Sequence, residues 1–238
     1  MRVLFSVAIA SILSAGIAVT STGIALAADK TAPNAPSTWN AAVNAKKSAV
    51  GAVSGTAFDE NQMMWIGKIN EYFKSFDNIK GKFAQYSGDK KRMLGKYYIK
   101  RPGRFRFDYN RPSRMVIVSD GKRLVIQDHD LNTEDEIALN KTPFRALLGK
   151  NVDILRDSRI QLLQETDDQV IIELRDKNPR VFGGIKLFLT KQPQLELKEW
   201  ITTDVQGLKT RLVLVNLQRV EKLSAKLFRF RSVMLPKF

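Results

Sequence analysis

The one imidazole in the chain is His129, set between Asp128 and Asp130. A histidine beside carboxylates can act as a general base or a metal ligand. Both roles need further partners at defined places, and none is evident, so the triplet reads as a solvated turn. Glu134-Asp135-Glu136 offers oxygen ligands of the kind a hard cation takes. Three successive acids also suit an exposed strand edge or a loop, where charge discourages pairing with other chains, and that is the reading adopted. Asp167-Asp168 is most simply a hairpin turn. The chain carries no G-x-G-x-x-G, no Walker loop, no H-E-x-x-H and no G-x-S-x-G. It also has no cysteine, which excludes a thiol nucleophile, a disulfide and a lipidated N-terminal cysteine. These residues predict no catalytic site, no metal site and no cofactor.

Charge is the more informative feature. With 39 Lys and Arg against 24 Asp and Glu, the formal net charge is +15. From Lys90 to Arg114 there are ten basic residues and one acid, Asp108. They interleave with Tyr97, Ile99, Phe105, Phe107 and Tyr109. On a strand, alternation sends aromatics and cations to opposite faces. Single-stranded nucleic acid needs the two together on one surface, so no nucleic-acid partner is expected. The pattern reads as a basic outer surface backed by an apolar inner one, open to anionic headgroups or an acidic protein.

Elements must position these residues. Arg2 is the one charge before Asp29; an apolar centre follows it and ends in Ala25-Leu26-Ala27. That is the pattern of a cleavable signal peptide over residues 1–27, diluted by Ser, Thr and Gly beyond what a permanent span tolerates. Cleavage would leave a soluble chain of 211 residues, enough for one domain with its own core. Residues 28–57, rich in Ala, Asn, Ser, Thr, Pro and Gly, read as a flexible leader. At Phe58 the period changes. Asp59 as N-cap, then Met63, Ile66, Ile69 or Asn70, Phe73 and Phe76, predict an amphipathic helix over 59–75. From Asp77 the period is two. Strands are expected around Phe83 and Gln85, then at 94–100, 104–109, 115–119, 124–126, 158–165, 169–176, 185–190, 194–203 and 208–219. Turns at 87–89, Asp120-Gly121, Asn178-Pro179, Gln192-Pro193 and Gln206-Gly207 make this an antiparallel meander. One segment interrupts it. Thr142 as N-cap, Pro143, four helical positions and Gly149 predict a helix too short to stand without packing. Residues 152–156 suggest a similar short piece.

The run Gly95-Lys96-Tyr97-Tyr98-Ile99-Lys100-Arg101-Pro102-Gly103-Arg104-Phe105-Arg106-Phe107 resembles the LolA family of periplasmic lipoprotein carriers. The resemblance continues through Pro112, Ile117-Val118-Ser119-Asp120-Gly121-Lys122 and Thr142-Pro143-Phe144. It extends to Trp200-Ile201-Thr202-Thr203-Asp204-Val205-Gln206-Gly207 and Phe228-Arg229-Phe230, in order over about 58–235. It implies a mainly β domain over 58–238: an incomplete, strongly curved antiparallel barrel of about 11 strands, with helices covering the open face. It implies a non-enzymatic, monomeric periplasmic carrier that takes acyl chains of lipoproteins from an inner-membrane ABC-type release complex to the outer membrane, where a receptor could accept them. By position, Arg101 matches a residue that hydrogen-bonds lid backbone and keeps the empty form closed. Leu147 matches a lid residue near that contact, Phe144 and Leu148 extend the lid, and Phe105 and Ile117 match residues tied to cargo, with Phe107 beside them. Arg145 departs from the pattern, since the family carries an apolar residue there.

The physical requirement is clear. Burying each CH₂ is worth about 0.8 kcal/mol, so a sixteen-carbon chain left in water costs roughly 12 kcal/mol, and a shield is needed. A carrier of another lipid, a lipid sensor, an enzyme on the same fold, and a basic adaptor docking transiently on an anionic membrane surface are the other functions these residues allow.

Overall fold

A computed structural model describes residues 58–87, 91–230 and 232. The signal peptide at 1–27 and the leader at 28–57 lie outside the described residues, as do Gly88 and Asp89 of the first expected turn. Among the described residues, one antiparallel sheet of 11 strands forms the body of the domain. The strands are β1 (Asn78–Tyr86), β2 (Arg92–Lys100), β3 (Arg104–Tyr109), β4 (Met115–Asp120), β5 (Arg123–Asp128) and β6 (Thr133–Ala138). They continue with β7 (Ser158–Glu165), β8 (Gln169–Asp176), β9 (Gly184–Thr190), β10 (Glu196–Thr203) and β11 (Lys209–Arg219). Their spatial order is 6-5-4-3-2-1-11-10-9-8-7. Two meanders, β1–β6 and β7–β11, are thus zipped together where β1 pairs with β11. The sheet does not close, and its two edges are β6 and β7.

The chain between those edges carries the short helices. A 3-10 turn at Leu139–Lys141 leads to α2 (Phe144–Leu148) and α3 (Ile154–Asp157); the longer helix α1 (Glu60–Lys74) precedes β1. The lid segment is therefore tethered at both ends to opposite edges of the sheet. The Glu134-Asp135-Glu136 acids lie on β6, whose outer side has no partner strand, the place where charge protects an edge. His129 sits in the turn between β5 and β6.

Local chemistry explains the elements. Asp59 caps α1: its carboxylate accepts from the Gln62 amide at 2.7 Å, and the Gln62 side chain accepts from the Asp59 amide at 3.1 Å. The buried stripe of α1 is Trp65, Ile66, Ile69, Tyr72 and Phe73. Met63 was expected on that stripe but is 45% exposed; the true stripe starts two residues later, and Trp65 and Tyr72 carry it. Thr142 was expected as the N-cap of α2. Its hydroxyl instead donates to the Leu139 carbonyl at 2.8 Å, and Pro143 holds the capping position without a side-chain bond. The local 3-10 turn competes for the hydroxyl and wins.

Along β2 and β3 the alternation is as read: Tyr97, Ile99, Phe105, Phe107 and Tyr109 are buried, and Lys96, Arg104 and Arg106 face outward. Gly95 is required by a close approach. A β-carbon there would lie 2.4 Å from the Phe83 ring and 2.3 Å from the Asp108 carbonyl oxygen. The core is continuous, joining the inner faces of both meanders to α1, α2 and α3. No helix among the described residues is long and apolar enough to cross a membrane.

Candidate functional site: an apolar cavity beneath a tied lid

Strand alternation supplies an apolar concave surface, and the helices must cover it. Where they do, a cavity of about 40 Å³ remains, water-sized rather than lipid-sized. Its floor is Phe105 and Phe107 of β3, Ile99 of β2, and Ile185, Leu187, Leu197, Trp200 and Leu214 from the second meander. Its roof is Tyr72, Phe73 and Phe76 at the end of α1 and Phe144, Leu147 and Leu148 of α2. Phe144 spans the two walls: its ring centroid is 5.5 Å from that of Phe105 and 6.1 Å from that of Trp200. Five of the expected cargo residues therefore line one space: Phe105, Phe107, Phe144, Leu147 and Leu148. Ile117 is buried on the inner side of β4, opposite Phe107 in register, but is not part of the cavity wall. Sequence reading missed the contributions of α1 and of β9–β11. Their apolar alternation was visible, but nothing local says which strands curve round to face β3.

The roof is held by backbone acceptors. Arg101, in the turn between β2 and β3, is 9% exposed. Its Nη2 donates to the Gly149 carbonyl at 2.7 Å and to the Lys150 carbonyl at 3.1 Å, and its Nη1 donates to the Phe73 carbonyl. One guanidinium thus ties the C-terminal ends of α1 and α2, whose last carbonyls have no partner inside their own helices. Five donors on a planar fork suit that task. Burial lowers the Arg101 pKa, and the carboxylate of Asp77 opposes this. The Gly103 amide adds a bond to the Leu148 carbonyl at 2.8 Å. Gly103 has φ +68°, and a β-carbon there would approach Leu139 and the Gly121 backbone within 3.0–3.2 Å. The Arg-Pro-Gly turn and the Asp-Gly turn are therefore packed against each other beneath the lid.

A second tie comes from the other meander. Arg145 Nη2 of α2 lies 2.6 Å from Asp176 Oδ1 at the end of β8, and the Asp176 side chain is 1% exposed. This bond raises the Arg145 pKa. The residue that departs from the resembled pattern thus holds the lid to the β7 edge, while Arg101 holds it to the first meander. Neither tie is fully satisfied: Arg101 Nε, Arg145 Nε and Asp176 Oδ2 are buried without a protein partner. At the other end of α1, Glu165 of β7 accepts from Asn61 at 3.0 Å, Trp65 Nε1 at 2.9 Å and Lys191 at 2.9 Å. The side-chain bonds from Asn61, Lys191 and Trp65 lower its pKa to about 2. Among the described residues there is no cluster of three metal-binding side chains.

Comparison with known proteins places this geometry. Residues 74–231 match the family described as outer membrane lipoprotein carrier protein LolA. The chain is 29% identical over 173 residues to an outer-membrane lipoprotein carrier protein of Methylococcus capsulatus, spanning 68% of this chain and 81% of that one. It is 32% identical over 95 residues to the carrier protein of Nitrosospira multiformis, spanning 36% of this chain and 46% of the relative. Against that of Chromobacterium violaceum it is 30% identical over 131 residues, spanning 53% and 62%. The match thus takes in about half to three-fifths of the length of the last two relatives. A LolA superfamily protein from Nitrosomonas europaea, known by crystal structure, is similar with TM-score 0.40 and 12% identity, covering 69% of this chain and 97% of that one. A likeness of that size bears no functional weight.

Proposed function

The chain belongs to the outer membrane lipoprotein carrier (LolA) family, and on that premise we propose that it is a periplasmic carrier which shields the acyl chains of lipoproteins between the inner and outer membranes. Residues 1–27 direct export and residues 28–57 form a leader to the carrier domain at 58–238. Cargo is received from an inner-membrane ABC-type release complex and passed to the outer membrane, with an outer-membrane receptor as its acceptor. No catalysis takes part.

The observation that carries this reading is the closed roof over an apolar cavity too small for an acyl chain. Cargo enters only if α2, and with it Phe144, Leu147 and Leu148, moves off Phe105, Phe107 and Trp200. The cost of that movement is subtracted from the affinity for cargo, which keeps release possible. Arg101 sets much of this cost, because its bonds to Phe73, Gly149 and Lys150 exist in the closed form. The buried, unpartnered nitrogens and oxygen at both ties keep the closed form from being overly stable.

The test is extraction of a triacylated lipoprotein from detergent or membranes by the purified chain. Extraction of free phospholipid but not of lipoprotein would sink the proposal. Arg101→Leu should fold normally but retain cargo, with affinity raised on the order of tenfold for each 1.4 kcal/mol of closed-state bonding removed. Ordinary release by that variant would remove Arg101 from the latch role.

A further inference from the structure

The outer face of β1–β3 differs from the rest of the sheet. Register sets Lys82 of β1 directly opposite Lys96 of β2, with Lys80 opposite Tyr98 one step along. Like charges directly opposite each other destabilise a sheet. None of Lys80, Lys82 and Lys96 pairs with a carboxylate among the described residues. The chain after β11 then crosses this same face. Asn78 Nδ2 donates to the Glu221 carbonyl at 3.0 Å, Lys100 Nζ to that of Leu223 at 3.1 Å, and Arg106 Nη1 to that of Leu227 at 3.2 Å. This strap brings Lys222, Lys226 and Arg229, all exposed and without a carboxylate partner among the described residues. Asp108 of β3 stands directly opposite Lys96 in register but is bonded to Arg106 at 2.7 Å, and Glu221 lies on the strap itself. Two aliphatic side chains stand out among the cations: Leu94 of β2 at 42% exposure and Val215 of β11 at 43%, the latter opposite Lys82.

On the second meander some outward cations are matched, while Arg159 of β7 and Arg175 of β8 face each other in register without a carboxylate partner among the described residues. Lys186 pairs with Glu173 at 2.7 Å and Arg211 with Glu199 at 2.6 Å. Lysines in particular gather on one face, with Lys80, Lys82 and Lys96 side by side on β1 and β2.

We propose that this face docks the protein on a bilayer of anionic phospholipid; this rests on the carrier reading, since a shuttle must find the membranes where cargo changes hands. Lysines on long stems are point charges suited to mobile headgroup phosphates, whereas a structured carboxylate site on a protein favours bidentate arginine. The exposed aliphatics sit where they reach the headgroup boundary. The face lies on the convex side of the sheet, away from the cavity, so docking leaves the lid free. Each lysine or arginine held near an anionic leaflet strengthens binding about fivefold.

Flotation with vesicles of the chain from residue 28 on, as export would leave it, tests this. It should float with equimolar phosphatidylcholine and phosphatidylglycerol, not with phosphatidylcholine alone, and added salt should release it. The Lys80→Gln, Lys82→Gln, Lys96→Gln triple variant should bind on the order of a hundredfold more weakly. Its thermal midpoint should hold or rise, because repulsion is relieved, which separates lost docking from lost folding. Failure of the natural chain to float with the anionic vesicles, equal binding to both vesicles, insensitivity to salt, or undiminished binding by the folded variant overturns the proposal. Loading with lipoprotein from detergent is measured in parallel and should be unchanged in the variant. A natural chain that docks but never loads would refute the carrier reading while leaving the docking result in place.

Discussion

The two meanders of the sheet build the same half-barrel from different materials. In β1–β3 the inner face is mostly aromatic: Phe83, Tyr97, Phe105, Phe107 and Tyr109 meet edge to face or stacked, with centroids 5.0–6.1 Å apart, while β4 and β5 add Met115, Ile117, Leu124 and Ile126. In β7–β11 it is aliphatic, with Val170, Ile172, Leu174, Ile185, Leu187, Leu189, Leu212 and Leu214, and Trp200 as the one aromatic core residue. Outside, the first meander gathers Lys80, Lys82 and Lys96 without carboxylate partners among the described residues, whereas Lys186 and Arg211 of the second pair with Glu173 and Glu199. Ring pairs add oriented edge-to-face contacts to the burial of area, whereas the aliphatic wall packs by shape alone. The lid is tied to both: by Arg101 through backbone carbonyls on the aromatic side, and by Arg145 through one half-buried charge pair on the aliphatic side.

The largest expected effect tests the aromatic wall. Phe107→Ala should destabilise the domain by about 3–5 kcal/mol in denaturant unfolding. It should exceed Leu187→Ala, because ring contacts with Phe83, Tyr97, Phe105 and Trp200 go with it. Equal losses would erase the contrast between the walls. Next come the ties. Arg101→Leu should raise amide hydrogen exchange across 144–150 by tenfold or more, since bonds from a charged donor are each worth about 1.5–3 kcal/mol. Unchanged protection there would mean that packing alone holds the lid. For the other tie, a double-mutant cycle of Arg145→Leu and Asp176→Leu should give a coupling of about 1–2 kcal/mol. Asp176→Leu alone should cost more than the double variant, because it leaves Arg145 without its partner. Strict additivity would remove the pair from the lid's energetics.

The smallest effect is the pH response of α1. The Glu165 carboxyl, ordinarily near 4.5, is held at about 2 by Asn61, Lys191 and Trp65. A depressed carboxyl pKa stabilises the fold above its ordinary value, and that contribution is lost as pH falls from about 4.5 toward about 2. Trp65 fluorescence should therefore report loosening of the α1 start within that window, and Glu165→Gln should flatten the response. A variant with the natural profile would show that the window belongs to other groups. The group is exposed, so the effect should be modest.

Much of this was legible in the chain because it is local. Alternation at Tyr97, Ile99, Phe105, Phe107 and Tyr109 assigns their face whatever the fold, and Asp120-Gly121 marks its hairpin. The acidic run at 134–136 read as an exposed strand edge or a loop, and only the sheet order makes it the edge strand β6. The α1 stripe was misplaced at Met63 because Met64, Trp65 and Ile66 follow one another, so period alone could not choose the face. Thr142 failed as a cap because Leu139, three residues earlier, offered a competing acceptor. The cavity was half legible: β3 and the lid were read, but the facing wall was not.

The sequence by itself determined the order of every strand but β6 along the chain, the separation of cations from aromatics, the weak helix at 144–148 and the absence of thiol chemistry. These follow from periodicity, turn residues and composition, each decided within a few residues. Only the tertiary structure decided that β1 pairs with β11, which carries Trp200 round to face Phe107. It also decided that Arg101 reaches α1 and α2 together, that Arg145 finds Asp176, and that the chain after β11 returns to Asn78 of β1, Lys100 of β2 and Arg106 of β3. Such contacts join residues from about 30 to 140 positions apart. They depend on how the sheet twists and curls, a property of all 11 strands together.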